Sequence, residues 1–310
     1  MKILVTGGAG FIGSNIVDAL IAKGDKVSII DNLSTGNKKN INPQSAFYKA
    51  DISNEKKVFE IFKKEKPEIV IHEAAQIDVR KSVLDPAYDA KVNIMGSINI
   101  LKAAQDSGVK KIIFASSGGT IYGECGAKAP DENVCGNPLS PYGIAKFSVE
   151  FYIKFYWQIY GLKYTILRYA NVFGPRQDPF GEAGVVAIFA KRMLAGEDIF
   201  IYGDGKQMRD YVFVGDVVNA NLKALTKGDN QIINIGSQKA VSVLELAKIM
   251  AEITGYTKKP VMKPKRAGEL FKNFLNCAKA KKVLNWKPQY DLKKGIAKTI
   301  EFFDNQRSKE

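Results

Sequence analysis

Short β-rich runs alternate with amphipathic stretches through the first half of the chain. Lys2 to Val5, Lys26 to Ile30, Ala46 to Lys49, Ile69 to His72, Lys111 to Ala115 and Lys163 to Arg168 are short runs dominated by branched aliphatic and aromatic residues, and each reads as a strand. Between them, Phe11 to Lys23, Asn54 to Glu65, Val92 to Asp106 and Pro141 to Tyr160 repeat apolar residues at helical spacing. This βαβα order predicts an α/β fold: a doubly wound, Rossmann-like parallel sheet with helices on both faces.

After Arg168 the pattern loosens. Residues 171–184 form a stretch rich in Gly and Pro, followed by shorter mixed elements. Ser242 and Glu245 make a capping-box pattern for a helix running to Thr254, and Asp291 is placed to cap the last helix, so this half is folded. The expected organisation is a dinucleotide-binding domain over residues 1–170, rejoined by a segment near 209–240, and a smaller C-terminal α/β substrate-binding domain over residues 171–310.

Composition narrows the class. No run of 18 apolar residues exists, so no membrane partner is expected. The first residues enter a strand and a glycine turn at once, which leaves no room for a signal peptide and leads to the expectation of a cytoplasmic protein. Net charge is +14, but the excess is spread as lysine without interleaved aromatics or a recognition motif, so a nucleic-acid partner is not expected. The densest basic stretch, Lys258 to Arg266, is broken by proline and suits an anionic small ligand. Of the few arginines, Arg168, Arg176, Arg209 and Arg266 fall in the stretch expected to bind substrate. Cys125, Cys135 and Cys277 lack metal-ligand spacing and the lone histidine, His72, ends an apolar run, so no metal site is expected and His72 reads as a satisfied strand-end residue.

Two motifs carry chemistry. Gly7, Gly10 and Gly13 form a GxxGxxG that closes the first strand and opens the first helix, with Phe11 and Ile12 inside it. There the helix N-terminus offers unpaired N–H groups to a pyrophosphate, and the missing side chains allow close approach. Asp31 ends the second strand where a carboxylate accepts the ribose hydroxyls and repels a 2′-phosphate; Asn32 follows it and no arginine is near, so NAD is favoured over NADP. The second motif is Tyr142-x-x-x-Lys146 on a helix opened by Ser140 and Pro141. An ammonium one turn from a phenol favours the phenolate, which makes Tyr142 a general base. Upstream, Ser116, Ser117 and Thr120 leave the fifth strand with hydroxyls at the crevice.

With these residues in place, the chain resembles the extended short-chain dehydrogenase/reductase family, and within it the NAD-dependent epimerase/dehydratase branch that includes UDP-glucose 4-epimerase. The resemblance runs through Asp51-Ile52, His72-Glu73-Ala74-Ala75-Gln76, Asn93, Ser116-Ser117 and Tyr142/Lys146, then Leu167 to Arg176, Tyr202-Gly203-Asp204-Gly205, Arg209-Asp210-Tyr211 and Arg266-Ala267-Gly268-Glu269. It implies that Asp51 and Ile52 flank the adenine, that Ala74, Ala75 and Asn93 line the cofactor, and that Lys146 bonds the nicotinamide ribose. Asn171, Val185, Tyr202, Arg209 and Arg266 would hold the nucleoside diphosphate of a UDP-sugar. The position where such enzymes carry the catalytic Ser or Thr falls on Gly118, so Ser117 or Thr120 must supply the hydroxyl, and Ser117 is the favoured one. Asn273, seven positions after Arg266, would stand beside the sugar's 2-substituent and admit N-acetylated hexoses.

The implied activity is reversible oxidation at C4 of a UDP-hexose through a 4-keto sugar. A sister activity, 4,6-dehydration or decarboxylation, is the alternative, yet the loop Gly118 to Ile121 holds no acidic residue for it. A non-catalytic NAD-dependent regulator or nucleic-acid binder is the alternative of a different class. The outer face of the Tyr142 helix is apolar at Phe151, Phe155 and Ile159, and the resemblance implies a homodimer built on this helix and Val92 to Asp106.

Overall fold

The computed structural model describes residues 1–180, 184–265 and 270–308. The chain runs β1 (Lys2–Thr6), α1 (Phe11–Ala22), β2 (Lys26–Asp31), β3 (Ala46–Lys49), α2 (Glu55–Glu65), β4 (Ile69–His72), α3 (Val79–Leu84), α4 (Pro86–Ala90), α5 (Gly96–Asp106), β5 (Lys111–Ser117), α6 (Gly118–Ile121), α7 (Pro141–Tyr160) and β6 (Lys163–Tyr169). It continues through β7 (Asn171–Phe173), α8 (Val185–Leu194), β8 (Phe200–Tyr202), β9 (Met208–Phe213), α9 (Val214–Ala224), β10 (Gln231–Ile235), β11 (Ala240–Ser242), α10 (Val243–Thr254), β12 (Val261–Lys263), β13 (Lys272–Asn273), α11 (Ala278–Leu284) and α12 (Leu292–Arg307).

Seven strands form one parallel sheet in the order β3-β2-β1-β4-β5-β6-β10. After β3 the chain crosses back past β1 to β4, so the strand order reverses between β1 and β4. Crossovers on either side of that point diverge and leave a crevice at the carboxyl ends of the strands. Alternate residues of each strand feed opposite faces. Ile3, Val5, Ile29, Ile71, Ile113 and Leu167 pack with Ile16 and Leu20 of α1 and Val217 of α9. Leu4, Ile30, Val70, Ile112 and Ile166 pack with Phe62 of α2, Ile100 of α5 and Ile153 of α7. Burying each such side chain contributes about 1.5–3 kcal/mol, which is what fixes the register of strands covered on both faces.

The short strands β7, β9, β11 and β13 form a second sheet, and β8 pairs with β12. Helices α8, α10 and α12 close over this region through Phe189, Met193, Leu246, Met250, Ile296 and Phe303. Both anticipated caps are formed: Ser242 accepts from the Glu245 N–H, and Asp291 from the Lys294 N–H.

One predicted helix is built differently. Val92 to Asp106 is not a single α-helix; Lys91–Met95 is a π-helical turn that leads into α5. Inside that turn the buried Asn93 side chain accepts from the Gln76 N–H (2.8 Å) and donates to the Gln76 carbonyl (3.0 Å) and to Asp89 Oδ1 (2.9 Å). Two of these bonds tie the turn to the segment after β4 and the third ties it to α4, and a π turn is a common way to aim a residue inward at such a place.

Candidate active site

Two adjoining cavities open at the crevice. The first, about 340 Å³, is lined by Gly7, Gly10, Phe11, Ile12, Gly13, Asp31, Asn32, Asp51, Ile52, Ala74 and Ala75, with Glu73 and Gln76 from the segment after β4. The second, about 690 Å³, is lined by Ser117, Thr120, Tyr142, Asn171, Gln177 and Arg209 among others. Phe11 and Ile12 belong to both walls.

The glycine turn explains the first cavity. Gly7 sits at φ +70°, and a Cβ on Gly13 would lie 2.2 Å from the Gly7 carbonyl oxygen, so β1 and α1 come together only with glycine there. Gly10 caps α1 without a side-chain bond, which leaves the first helical N–H groups facing the cleft. Asp31 is buried, and its oxygens accept from the N–H groups of Ala9 (3.0 Å) and Leu33 (2.8 Å). A carboxylate held this way keeps acceptor capacity for a diol. The Asn32 side-chain amide donates to Asp51 Oδ2 at 2.8 Å, joining two further residues of the wall. A cradle that a single Cβ would fill, ending in a fixed carboxylate, fits a dinucleotide.

Across the second cavity, Ser140 caps α7 by accepting from the Gly143 N–H, with Pro141 at the first helical position. Tyr142 is thereby held at the crevice, and Ser117 arrives from the end of β5. Thr120 lines the same space; its Oγ1 is buried and finds no partner among the described residues. Lys146 lines neither cavity. It is only 4% exposed, its Nζ donates to the Ala115 carbonyl at 2.7 Å, and it stands 4.8 Å from the Phe114 ring centroid and 5.9 Å from that of Tyr142.

Electrostatics here departs from the sequence-based expectation. Burial raises the Tyr142 phenol above its ordinary pKa, and the charges of Asp89 and Glu73 add to the rise. Burial lowers Lys146, against the pull of Glu73 and then Asp89. The lysine alone therefore does not make Tyr142 a phenolate, because desolvation and two carboxyl groups oppose it.

Several expected site residues sit elsewhere. Asn93 is buried and acts on the cavity wall only through Gln76. Val185 opens α8 and Tyr202 ends β8, and neither lines either cavity. Asn273 is fully buried; its amide is 3.4 Å from the carbonyls of Gly118 and Gly123, behind the loop and outside both cavities. Arg266, with Ala267 to Glu269, lies outside the described residues. Arg168 does not serve a ligand: it is buried against Glu150, at 2.6 and 2.9 Å, and Tyr122. Arg176 is spent on Asp18 at 2.6 Å.

Other residues gave no separable signal in sequence. Gln177 comes from the Gly/Pro loop and Glu73 follows the last residue of β4, with its Oε1 accepting from the Tyr169 hydroxyl at 2.8 Å. His72 is satisfied as expected. Its ring nitrogens meet Thr6 Oγ1 (2.6 Å) and Ser97 Oγ (2.9 Å), and burial, then the Lys146 charge, lowers its pKa to about 3. Among the described residues no group of His, Cys, Asp and Glu is placed to hold a metal ion.

A doubly wound sheet that sets a dinucleotide cradle beside a cavity holding a tyrosine and a serine defines a nucleotide-cofactor enzyme acting on a substrate alcohol. The profile of the NAD dependent epimerase/dehydratase family matches residues 3–236, and the chain belongs to that family. It is 44% identical over 312 residues to a UDP-glucose 4-epimerase of Mycolicibacterium smegmatis, covering 99% of each chain. Among solved structures it matches a UDP-glucose 4-epimerase of Thermotoga maritima with UDP-glucose at a TM-score of 0.97 and 52% identity, over 99% of this chain and 100% of that one. A UDP-glucose 4-epimerase of Thermus thermophilus in complex with NAD matches at a TM-score of 0.94 and 42% identity, over 98% and 99%.

Proposed function

We propose that the protein interconverts UDP-glucose and UDP-galactose by NAD-dependent epimerisation at C4. The observation that carries this reading is the shared wall: Phe11 and Ile12 separate the dinucleotide cradle from a cavity that holds Tyr142 and Ser117. A cofactor seated on the glycine turn would then adjoin the cavity in which Tyr142 would meet a substrate hydroxyl.

When bound, NAD would supply a positively charged ring that accepts the C4 hydride and, once reduced, gives it back to the 4-keto sugar. Gly7, Gly10 and Gly13 would hold its diphosphate, Asp31 its adenosine ribose, Asp51 and Ile52 the adenine edge, and Ala74 and Ala75 the wall. Tyr142 takes the proton from the sugar 4-hydroxyl and returns it after the 4-keto sugar has turned over, while Ser117 hydrogen-bonds the same oxygen. Lys146 supports Tyr142 from behind. Asn171 and Arg209 hold the nucleoside diphosphate through that turn, and Arg266 is the proposed second cation. Residues 171–310, apart from α9 and β10, which rejoin the seven-stranded sheet, are the proposed substrate unit. Asn273, enclosed behind Gly118 and Gly123, lends no support to N-acetylated substrates.

Incubation with UDP-glucose, with sugar identity and absorbance at the NADH band followed together, tests the reaction. UDP-galactose forms and absorbance stays near its starting level, because no net redox occurs. Stoichiometric NADH, or a 4-keto-6-deoxy product, would sink the reading in favour of a dehydrogenase or dehydratase.

A homodimer is the proposed assembly. On α7, Phe151, Phe155 and Ile159 are 56%, 45% and 62% exposed, and Met95, just before α5, is 53% exposed. Two copies that pack these helices together bury the patch in a four-helix contact. Sedimentation is expected to give twice the chain mass, and a species of one chain mass at micromolar concentration removes the proposal. No helix among the described residues is long and apolar enough to cross a membrane. The three cysteines are unpaired, which suits the proposed cytoplasmic location.

A further inference from the structure

The loop after β5 brings Ser117 and Thr120 to the second cavity, and its other side rests on the segment 271–275. Contact between the two is direct at several points. Glu124 accepts from two successive backbone N–H groups, Phe271 at Oε2 (2.8 Å) and Lys272 at Oε1 (2.7 Å), and the Cys125 N–H donates to the Lys272 carbonyl at 3.0 Å. The Asn273 amide lies 3.4 Å from the carbonyls of Gly118, which starts α6, and of Gly123, just past its end. A Cβ on Gly118 would stand 2.5 Å from Leu275 Cδ1, so a side chain there would run into Leu275, and the loop packs on that residue with nothing between.

The same segment is tied to the wall that carries Arg209. Asn273 pairs with Arg209 in the β9–β13 ladder, the Met208 N–H donates to the Phe271 carbonyl at 2.7 Å, and the Leu275 N–H donates to Asp210 Oδ2 at 3.3 Å. We propose that Glu124 is a positioning residue: its carboxylate clamps the loop carrying Ser117 and Thr120 to β13, and so fixes those hydroxyls relative to Arg209. Gly123, at φ +71° with a Cβ position 2.6 Å from the Asn137 carbonyl oxygen, makes the turn that delivers Glu124 to β13. A carboxylate that grips two adjacent N–H groups resists both sliding and twisting, and its charge-assisted bonds are shorter and stronger than the long ones from Asn273. Glu124 itself is exposed, so its replacement leaves the core intact. A misplacement of about 1 Å in a reacting site costs roughly 10²-fold in rate, which is why such a clamp bears on turnover.

The inference rests on the epimerase reading for what each wall meets, but the clamp is read first on the backbone. Glu124→Ala removes both bonds. Hydrogen–deuterium exchange of the NAD-loaded protein, followed by peptide mass spectrometry, is expected to show roughly tenfold faster exchange in the peptide holding Phe271 and Lys272 and also in the one spanning Ser117 to Gly123. With UDP-glucose, kcat is expected to fall about tenfold, while calorimetric UDP binding stays within about twofold because β9 still holds Arg209. Glu124→Gln keeps the length and one accepting oxygen, and its kcat should lie between the two. Faster exchange confined to the Phe271–Lys272 peptide overturns the proposal, as does a kcat within about twofold of wild type in Glu124→Ala. Loss of UDP binding in step with kcat overturns it as well, since the wall and not the loop would have moved. If Glu124→Ala does not fold, Glu124→Gln decides on the same readings, at about threefold. A wild type that forms no UDP-galactose sinks the epimerase reading alone, and the exchange experiment still decides the clamp.

Discussion

Tyr142→Phe is expected to lower kcat by roughly 10² to 10⁴ while UDP-glucose binds within about twofold of the unaltered enzyme. The substitution deletes one oxygen from a side chain whose ring stays packed at the start of α7. Nothing in the glycine turn or in the wall that carries Arg209 depends on that oxygen, so binding and fold should persist. Chemistry should not. The phenol is raised above its ordinary pKa by burial, Asp89 and Glu73, and in the proposed mechanism it would become a base only once a cationic cofactor ring and the substrate hydroxyl complete the site. The sign is fixed: activity falls as pH drops and the phenol stays protonated, so the acid limb of the wild-type profile should flatten in the variant. Steady-state kinetics with calorimetric measurement of UDP-glucose binding checks both halves. A kcat within about tenfold of wild type would move the proton transfer to another group, and Thr120 would be the first to examine.

How much of this was legible in the sequence depended on whether a residue's role is local. Strands β1 to β6 were readable to within two residues because parallel strands covered on both faces are continuous apolar runs bounded by turns. The glycine turn and the Ser140-Pro141 cap were readable for the same reason: each is a few consecutive residues whose geometry is dictated by their own backbone. Roles that depend on three-dimensional partners were not. Arg168 and Arg209 look alike in sequence, yet one is enclosed between α7 and β6 and the other lines the second cavity. Lys146 was expected to tune Tyr142 on spacing alone, which ignores desolvation and the carboxyl groups that α4 and the segment after β4 bring in from far earlier in the chain. Asn273 was placed by counting, and a count across Ala267 to Glu269 says nothing about which way β13 presents its residues to the sheet.

The second large effect is on stability, at Arg168, one of the four arginines in the stretch expected to bind substrate. Arg168→Met is expected to destabilise the fold by about 3–5 kcal/mol, because it strips the partner from a buried carboxylate. Glu150 is 1% exposed and accepts from the Nε and Nη2 groups along one edge of the guanidinium, with the Ser116 hydroxyl donating to Oε1 at 2.6 Å. Methionine fills the volume between Tyr122 and Phe147, over whose rings the guanidinium now lies at 5.0 and 5.8 Å, so packing loss is small and the loss of charge compensation dominates. The double substitution Glu150→Met with Arg168→Met removes both charges and should recover most of the deficit, since a buried pair is often no better than an apolar one of similar volume. Urea unfolding of the wild type, each single variant and the double variant forms the cycle that measures this coupling. Simple additivity of the two single losses would mean that the pair contributes nothing as a pair. The same cycle bears on function, because Ser116 precedes Ser117 at the end of β5. If the Glu150 carboxylate anchors that strand end, the recovered double variant folds but holds Ser117 loosely, and its kcat should remain below wild type while its stability does not.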